Sequence, residues 1–181
     1  MRVIAGTLKG RKLRYPTHDI RPTTDKLRGA VFSIITANFP ELLENSVFCD
    51  IFAGAGSVGI EAISRGAQKV VFIENHKPTL KYLYENLKGL ENKSLVIKAD
   101  ARRALSYINE KFDIIYLDPP YNQNLIAPVL KKIAQYQLVK PQGIIVVESH
   151  ISEEYEIPQD FNVYKRKQYK NTLITILTSK E

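Results

Sequence analysis

From Ser46 onward, short apolar runs alternate with stretches in which apolar side chains recur every three or four positions. The runs at 47–52, 69–74, 95–98, 112–117 and 143–148 predict buried strands, and the stretches at 58–65, 78–90, 102–109 and 125–135 predict helices between them. Such a β-α-β-α order implies a mostly parallel sheet with helices on both faces, an α/β fold. Segments 161–169 and 172–178 read as an antiparallel pair closing one edge. Ahead of this body, residues 2–15 alternate weakly around Gly6 and Gly10, which predicts a hairpin of 2–5 with 11–15. Arg21-Pro22 then forces an extended or turning backbone. Thr23 or Thr24 can cap a helix running to about residue 38, with Leu27, Val31, Ile34 and Ile35 on one face. Gly29 inside that helix costs ~1 kcal/mol relative to alanine.

The chain has 181 residues, 44% of them hydrophobic and 25% charged, which is ordinary globular composition. One domain spanning 1–181 is expected, with a basic extension at 1–28 and a core at 46–181. No apolar run approaches the ~18 residues of a membrane span. The single cysteine, Cys49, cannot form an internal disulfide or a CxxC metal knuckle. The expectation is therefore a cytoplasmic monomer with no membrane partner and no metal. Charge changes this picture. The net charge is +7, and residues 1–28 hold Arg2, Lys9, Arg11, Lys12, Arg14, Arg21, Lys26 and Arg28 against only Asp19 and Asp25. A localised basic arm on a nearly neutral body suits phosphate binding, although a solvated terminal segment has the same composition.

Candidate chemistry begins where the first strand ends, in Asp50-Ile-Phe-Ala-Gly54-Ala-Gly56-Ser-Val-Gly59. In this GxGxxG pattern Gly54 permits the tight turn, Gly56 lets a ligand approach the backbone, and Gly59 lets helix and strand pack closely. Glu74 ends the second strand, where a carboxylate can accept both hydroxyls of a ribose. Asp100 follows the third strand and could meet an adenine amino group, or it could cap the helix after it. To this point NAD and S-adenosylmethionine (SAM) both fit. Asp50 is an acid just before the loop, where it would repel a pyrophosphate and favour the ammonium and sulfonium of SAM, although a strand-end Asp pointing away from the pocket would be harmless to either.

The buried run 112–117 delivers Asp118-Pro119-Pro120-Tyr121 to the sheet edge where ligands of such folds bind. Two prolines remove two N–H donors and leave carbonyl acceptors. A carboxylate, a rigid carbonyl and an aromatic face suit a planar substrate bearing an NH₂ group.

Asp-Pro-Pro-Tyr resembles the signature of SAM methyltransferases acting on amino groups, and the wider sequence resembles the RsmD family of 16S rRNA guanine-N2 methyltransferases. The resembling residues include 2–6, 10–13, Arg21-Pro-Thr-Thr-Asp25 with Arg28, 50–56, 59–62, 64–67, 118–121 and Val147-Glu148. The resemblance implies a Rossmann-like seven-stranded sheet, SAM as donor, and one guanine of small-subunit rRNA (position 966 in standard rRNA numbering) as acceptor. It places Asp50, Phe52, Gly54, Gly56, Gly59, Glu74 and Asp100 at the SAM site. Asp118, Pro119, Pro120 and Tyr121 are the implied catalytic segment, with Asp118, Pro119 and Tyr121 holding the base. Arg2, Lys9, Arg11, Lys12, Arg14, Arg21, Thr23 and Arg28 are expected to meet RNA, free or in a small-subunit particle. Gly29, Ser33 and Lys170 depart from the family's usual Glu, Asn and Gly.

Rival readings stay in view. A DNA adenine methyltransferase would need an added recognition domain, so DNA is not expected. A glutamine methyltransferase would more often carry Asn at 118. An NAD oxidoreductase explains the glycines and Glu74 but not Asp-Pro-Pro-Tyr. His18, His76 and His150 are scattered and receive no role. Tyr82, Tyr84, Leu87, Ile133 and Tyr136 are read as packing.

Overall fold

The computed structural model describes residues 1–16 and 25–180. Seven strands form one sheet: β1 (Val47–Ile51), β2 (Lys69–Ile73), β3 (Ser94–Ile97), β4 (Phe112–Leu117), β5 (Val139–His150), β6 (Phe161–Tyr169) and β7 (Thr172–Ser179). Their order is β3-β2-β1-β4-β5-β7-β6. The first five neighbours pair in parallel, and β7 runs antiparallel to both β5 and β6. The expected mostly parallel, seven-stranded sheet is what forms. Chain order reverses between β1 and β4, and in open α/β sheets ligands bind outside the carboxyl ends at such a switch point.

Helices α1 (Asp25–Asn38), α2 (Ser57–Ser64) and α3 (Lys77–Asn86) cover one face, and α4 (Ala101–Leu105) and α5 (Ile126–Gln135) the other. The predicted cap of α1 at Thr23 or Thr24 lies outside the described residues. Leu27 on its predicted face is only half-buried, while Val31, Ile34 and Ile35 are buried and joined by Phe32 and Arg28. Two helices end earlier than their periodicity suggests. Helix α3 stops at Asn86 because Gly89 turns left-handed (φ +79°). Helix α4 stops at Leu105 because the Ser106 hydroxyl donates back to the Arg103 carbonyl at 2.7 Å. Tyr84, read as packing, is 52% exposed, whereas Leu87 and Ile133 are in the core.

Helix α2 is buried on every side, and the cover on its outer side is the N-terminal arm. The arm closes through an Arg2–Lys12 bridge, and its Val3 and Leu13 join the apolar cluster of α1, α2 and α3. The Ser64 hydroxyl accepts from the Leu8 N–H at 2.9 Å, and the Ser64 carbonyl accepts from the Thr7 N–H at 2.8 Å. Gly6 sits at φ +81°, where a Cβ would lie 1.8 Å from that carbonyl, so only glycine fits the crossing. Glu61 has no exposed surface and is saturated. It accepts from the N–H groups of Ile4 (2.8 Å) and Ala5 (3.1 Å) and from Arg65 Nε (2.7 Å). Buried Arg28 stands 3.5 Å from it.

Candidate active site

Three side chains hold the glycine loop between β1 and α2. Asp50 Oδ2 accepts from the Gly59 N–H at 2.9 Å, Glu74 Oε2 from the Gly54 N–H at 2.7 Å, and Asn86 Nδ2 donates to the Ala55 carbonyl at 2.9 Å. Only Gly54, at φ +56°, faces open space; a Cβ there would meet nothing within 4 Å. Gly56 does not open toward a ligand as the sequence suggested. Its missing side chain makes room for Leu83, 2.5 Å from a Cβ, and its φ of +84° starts the helix. Gly59 does pack as expected, with Phe72 2.3 Å from a Cβ. Phe52 adopts φ +64°, a left-handed conformation that an aromatic residue rarely takes, at the turn into the loop.

Asp50 lies beneath the loop rather than in its mouth, with 2% of its surface exposed. Burial first, then the charge of Glu74, raises its pKa to about 7 against the opposing Gly59 N–H bond. Glu74 is nearly buried, and its second oxygen caps the N–H groups of Asn75 (2.8 Å) and His76 (2.7 Å). Asp100 takes the capping role that the sequence also offered. Its carboxylate accepts from Arg102 N at 3.0 Å and Arg103 N at 3.4 Å, and pairs with Arg102 Nε at 3.1 Å. The hydrogen bond and charge of Arg102 hold its pKa below the usual carboxylate value. It therefore caps α4, with 40% of its side chain still exposed beyond the end of β3.

Across the crevice, Asp118 continues β4, its N–H reaching the Ile51 carbonyl at 3.4 Å. Pro119 is buried, Pro120 exposed and Tyr121 half-buried. The Tyr121 hydroxyl lies 3.4 Å from Glu148 and 3.1 Å from Thr172 Oγ1, and its ring leans on His150 at 5.7 Å between centroids. Glu148 also accepts from the buried Tyr116 hydroxyl. Burial, followed by the fields of Glu148, Asp118 and Asp50, raises the Tyr116 pKa well above its ordinary value. Sequence reasoning missed Glu148 and Tyr116 as supports of the site. The signal was present: an acid closing the apolar run 144–147 has to be held by a donor.

The arm divides. Lys9, Lys12, Arg2 and Arg14 are exposed, Arg2 donating to the Gly10 carbonyl at 2.9 Å and Arg14 lying 3.3 Å from Glu85. Arg28 is a correction, because it is fully buried and bonded to Asp25 (2.9 Å) and to the Arg2 carbonyl; it cannot face RNA. The Arg11 guanidinium is also committed, donating to the Asn86 carbonyl at 2.8 Å and the Lys88 carbonyl at 2.6 Å past the end of α3. Arg21 and Thr23 lie outside the described residues. Asn86 exchanges hydrogen bonds with the Arg14 backbone (2.8 and 2.7 Å) while holding Ala55, so one amide joins the arm to the glycine loop.

This sheet order with β7 reversed, the glycine loop after β1 and Asp-Pro-Pro-Tyr after β4 define a Rossmann-like methyltransferase fold. The yhhF protein of Escherichia coli shares it with a TM-score of 0.87 and 26% identity, covering 99% of this chain and 97% of that one. A Haemophilus influenzae structure gives a TM-score of 0.81 and 30% identity over 99% of this chain and 98% of that one. The family described as conserved hypothetical protein 95 matches residues 1–178. Relatives include ribosomal RNA small subunit methyltransferase D of Buchnera aphidicola, 32% identical over 91% of this chain and 86% of that protein. The protein of the same name from Haemophilus influenzae is 31% identical over 92% and 88%. The chain belongs to this RsmD family.

Proposed function

We propose that this chain transfers a methyl group from SAM to the exocyclic N2 of a guanine in small-subunit rRNA, the 16S rRNA or a particle containing it. One observation carries the reading. Asp50, Glu74, Asp118 and Glu148 stand at the ends of β1, β2, β4 and β5, Glu74 acting on Asp50 and the other three on Tyr116, so the charges named there are all carboxylates. Such a field repels the pyrophosphate of a dinucleotide and attracts a ligand carrying an ammonium and a sulfonium. When bound, SAM supplies an electrophilic methyl group. Glu74 would hold its ribose, the Gly54 backbone would line its path, and Asp50 would set the charge beneath it. Asp118 and the Pro119 carbonyl would accept hydrogen bonds from the two N–H groups of the guanine amino group, returning electron density to a nitrogen whose lone pair is delocalised into the ring. The tethered Tyr121 ring offers a stacking face. The target base must lie in a loop or be flipped out, because N2 is otherwise occupied in pairing. The names of the relatives support rRNA as the acceptor.

The test is transfer of labelled methyl from SAM to 16S rRNA and to small-subunit particles, run beside calorimetric titrations of SAM and NAD. Binding of NAD without SAM would end the methyltransferase reading. Glu74→Ala is expected to weaken SAM by ~1.5–3 kcal/mol, roughly 10–100-fold, by removing a charge-assisted acceptor and freeing the loop N–H groups. Glu74→Gln keeps one acceptor and should fall between the two; equal SAM affinity in all three proteins would remove Glu74 from the site.

For the arm, replacing Lys9, Lys12 and Arg14 together with Ala is expected to weaken rRNA binding. It should also lower the salt slope by about 0.7 for each single-strand phosphate that is no longer neutralised. A filter-binding titration showing an unchanged slope would take the arm out of the RNA surface.

A further inference from the structure

The carboxyl edge of the sheet carries a second feature that the arm and the crevice do not use. Strand β6 is the outer strand, and residues 162–168 are exposed along its whole length. From 161 to 170 the chain reads Phe-Asn-Val-Tyr-Lys-Arg-Lys-Gln-Tyr-Lys, with four cations and no acid. Among the described residues none of Lys165, Arg166, Lys167 or Lys170 is in an ion pair. Lys165 and Lys167 pair with Ile176 and Ile174, residues of the α1-side cluster, so they share that face. They stand ~7 Å apart. Lys165 Nζ is steadied by Asn38 at 3.2 Å, and Lys167 lies over the Tyr169 ring at 5.3 Å.

The track leads to the proposed base site. Strand β6 is antiparallel to β7, which is antiparallel to β5, so β6 ends at the same sheet edge as β4. Tyr169 at its end pairs with Thr172, whose hydroxyl meets Tyr121. Lys170 follows at φ +53°, a left-handed position that favours glycine. This chain places a cation there despite that conformational cost.

We infer that the exposed β6 edge, through Lys165, Arg166, Lys167 and Lys170, is a second RNA surface that grips the phosphates flanking the target nucleotide. The inference rests on the proposed rRNA methyltransferase reading. A second copy of the chain is a poor occupant, because antiparallel pairing of two such edges sets cation against cation. A polyanion gains from every one of them.

The test compares wild type with Lys165→Gln/Arg166→Gln/Lys167→Gln in filter binding to a 16S rRNA transcript between ~50 and ~200 mM salt. Removing three cations from the phosphates should lower the slope of log affinity against log salt by about 2 and weaken binding about tenfold or more at ~0.1 M. KM for RNA should rise with kcat nearly unchanged, and SAM affinity and thermal midpoint should stay at wild-type values. Lys165→Arg/Lys167→Arg keeps the charges and should bind as wild type. Wild-type affinity and slope in the triple Gln variant would overturn the inference and leave these lysines as protection of a sheet edge. Failure of the wild-type chain itself to bind RNA would overturn the rRNA reading.

Discussion

Asp118→Ala is expected to slow single-turnover methyl transfer to rRNA by ~10²–10³-fold, the scale of deleting one preorganised polar group at a reacting centre. The acceptor it removes matters most as positive charge develops on the amino nitrogen, so the loss should appear in the chemical step. The fold should persist. The side chain lies beyond the last core residue of β4, Leu117, and the Asp118 N–H link to Ile51 is backbone. SAM affinity should change far less than turnover, because the proposed contact is with the base. Asp118→Asn should keep partial activity, since its amide oxygen accepts one bond while the negative charge is gone. Labelled-methyl transfer under single-turnover conditions measures all three proteins. Wild-type rates in Asp118→Ala would reduce Asp-Pro-Pro-Tyr to a stiff strand exit.

Periodicity made the sheet legible because each strand from β1 to β5 is a run of apolar residues bounded by a turn or helix. Strands β4 and β6 begin and end at the predicted residues. Strand β5 begins at Val139, earlier than the apolar run indicates, because it restarts pairing across a bulge between Phe112 and Ile114. The candidate site was legible where function sits on the backbone. Glycine spacing and Asp-Pro-Pro-Tyr mark the ends of β1 and β4, neighbouring strands of the sheet where the chain order reverses.

What stayed hidden was burial of charge. Arg28 and Arg11 count as cations of a basic arm in any tally of the sequence, yet one is sealed against Asp25 and Arg2 and the other closes the end of α3. Asp25 is a neighbour on the same helix, but the other partners are backbone carbonyls far away in sequence, which no local pattern shows. Glu61 and Ser64 stand in a helix that reads as a conventional amphipathic one. Only contact with Ile4, Ala5 and Leu8 explains polar residues with 0% and 1% exposure. Asn86 is hidden for the same reason, and through it the arm touches the glycine loop.

Asp50→Asn should make the protein more stable at pH 8 and leave it nearly unchanged near pH 4. In the folded chain the Asp50 pKa is raised from 3.8 to about 7, burial being the main cause. The unfolded chain releases this proton near pH 4, so between about pH 4 and 7 the folded state binds more protons than the unfolded one. Stability therefore falls as pH rises through that window, and the full penalty, on the order of 4 kcal/mol, stands above pH 7. Asparagine is isosteric and its oxygen can still accept from the Gly59 N–H, so the variant keeps the loop contact without the buried charge. Urea denaturation of both proteins at pH 4.5 and 8.5 checks this, and equal differences at the two pH values would show that Asp50 does not titrate in the folded chain. The same charge should favour a cationic ligand in the crevice above it. SAM should bind wild type more tightly at pH 8 than at pH 6 and release a proton on binding near pH 7. Both effects should vanish in Asp50→Asn, where SAM affinity is lower at pH 8 and flat with pH. Saturating SAM should therefore recover more stability in wild type than in Asp50→Asn at pH 8, because only the wild-type loop holds a buried negative charge for the ligand's cation to offset.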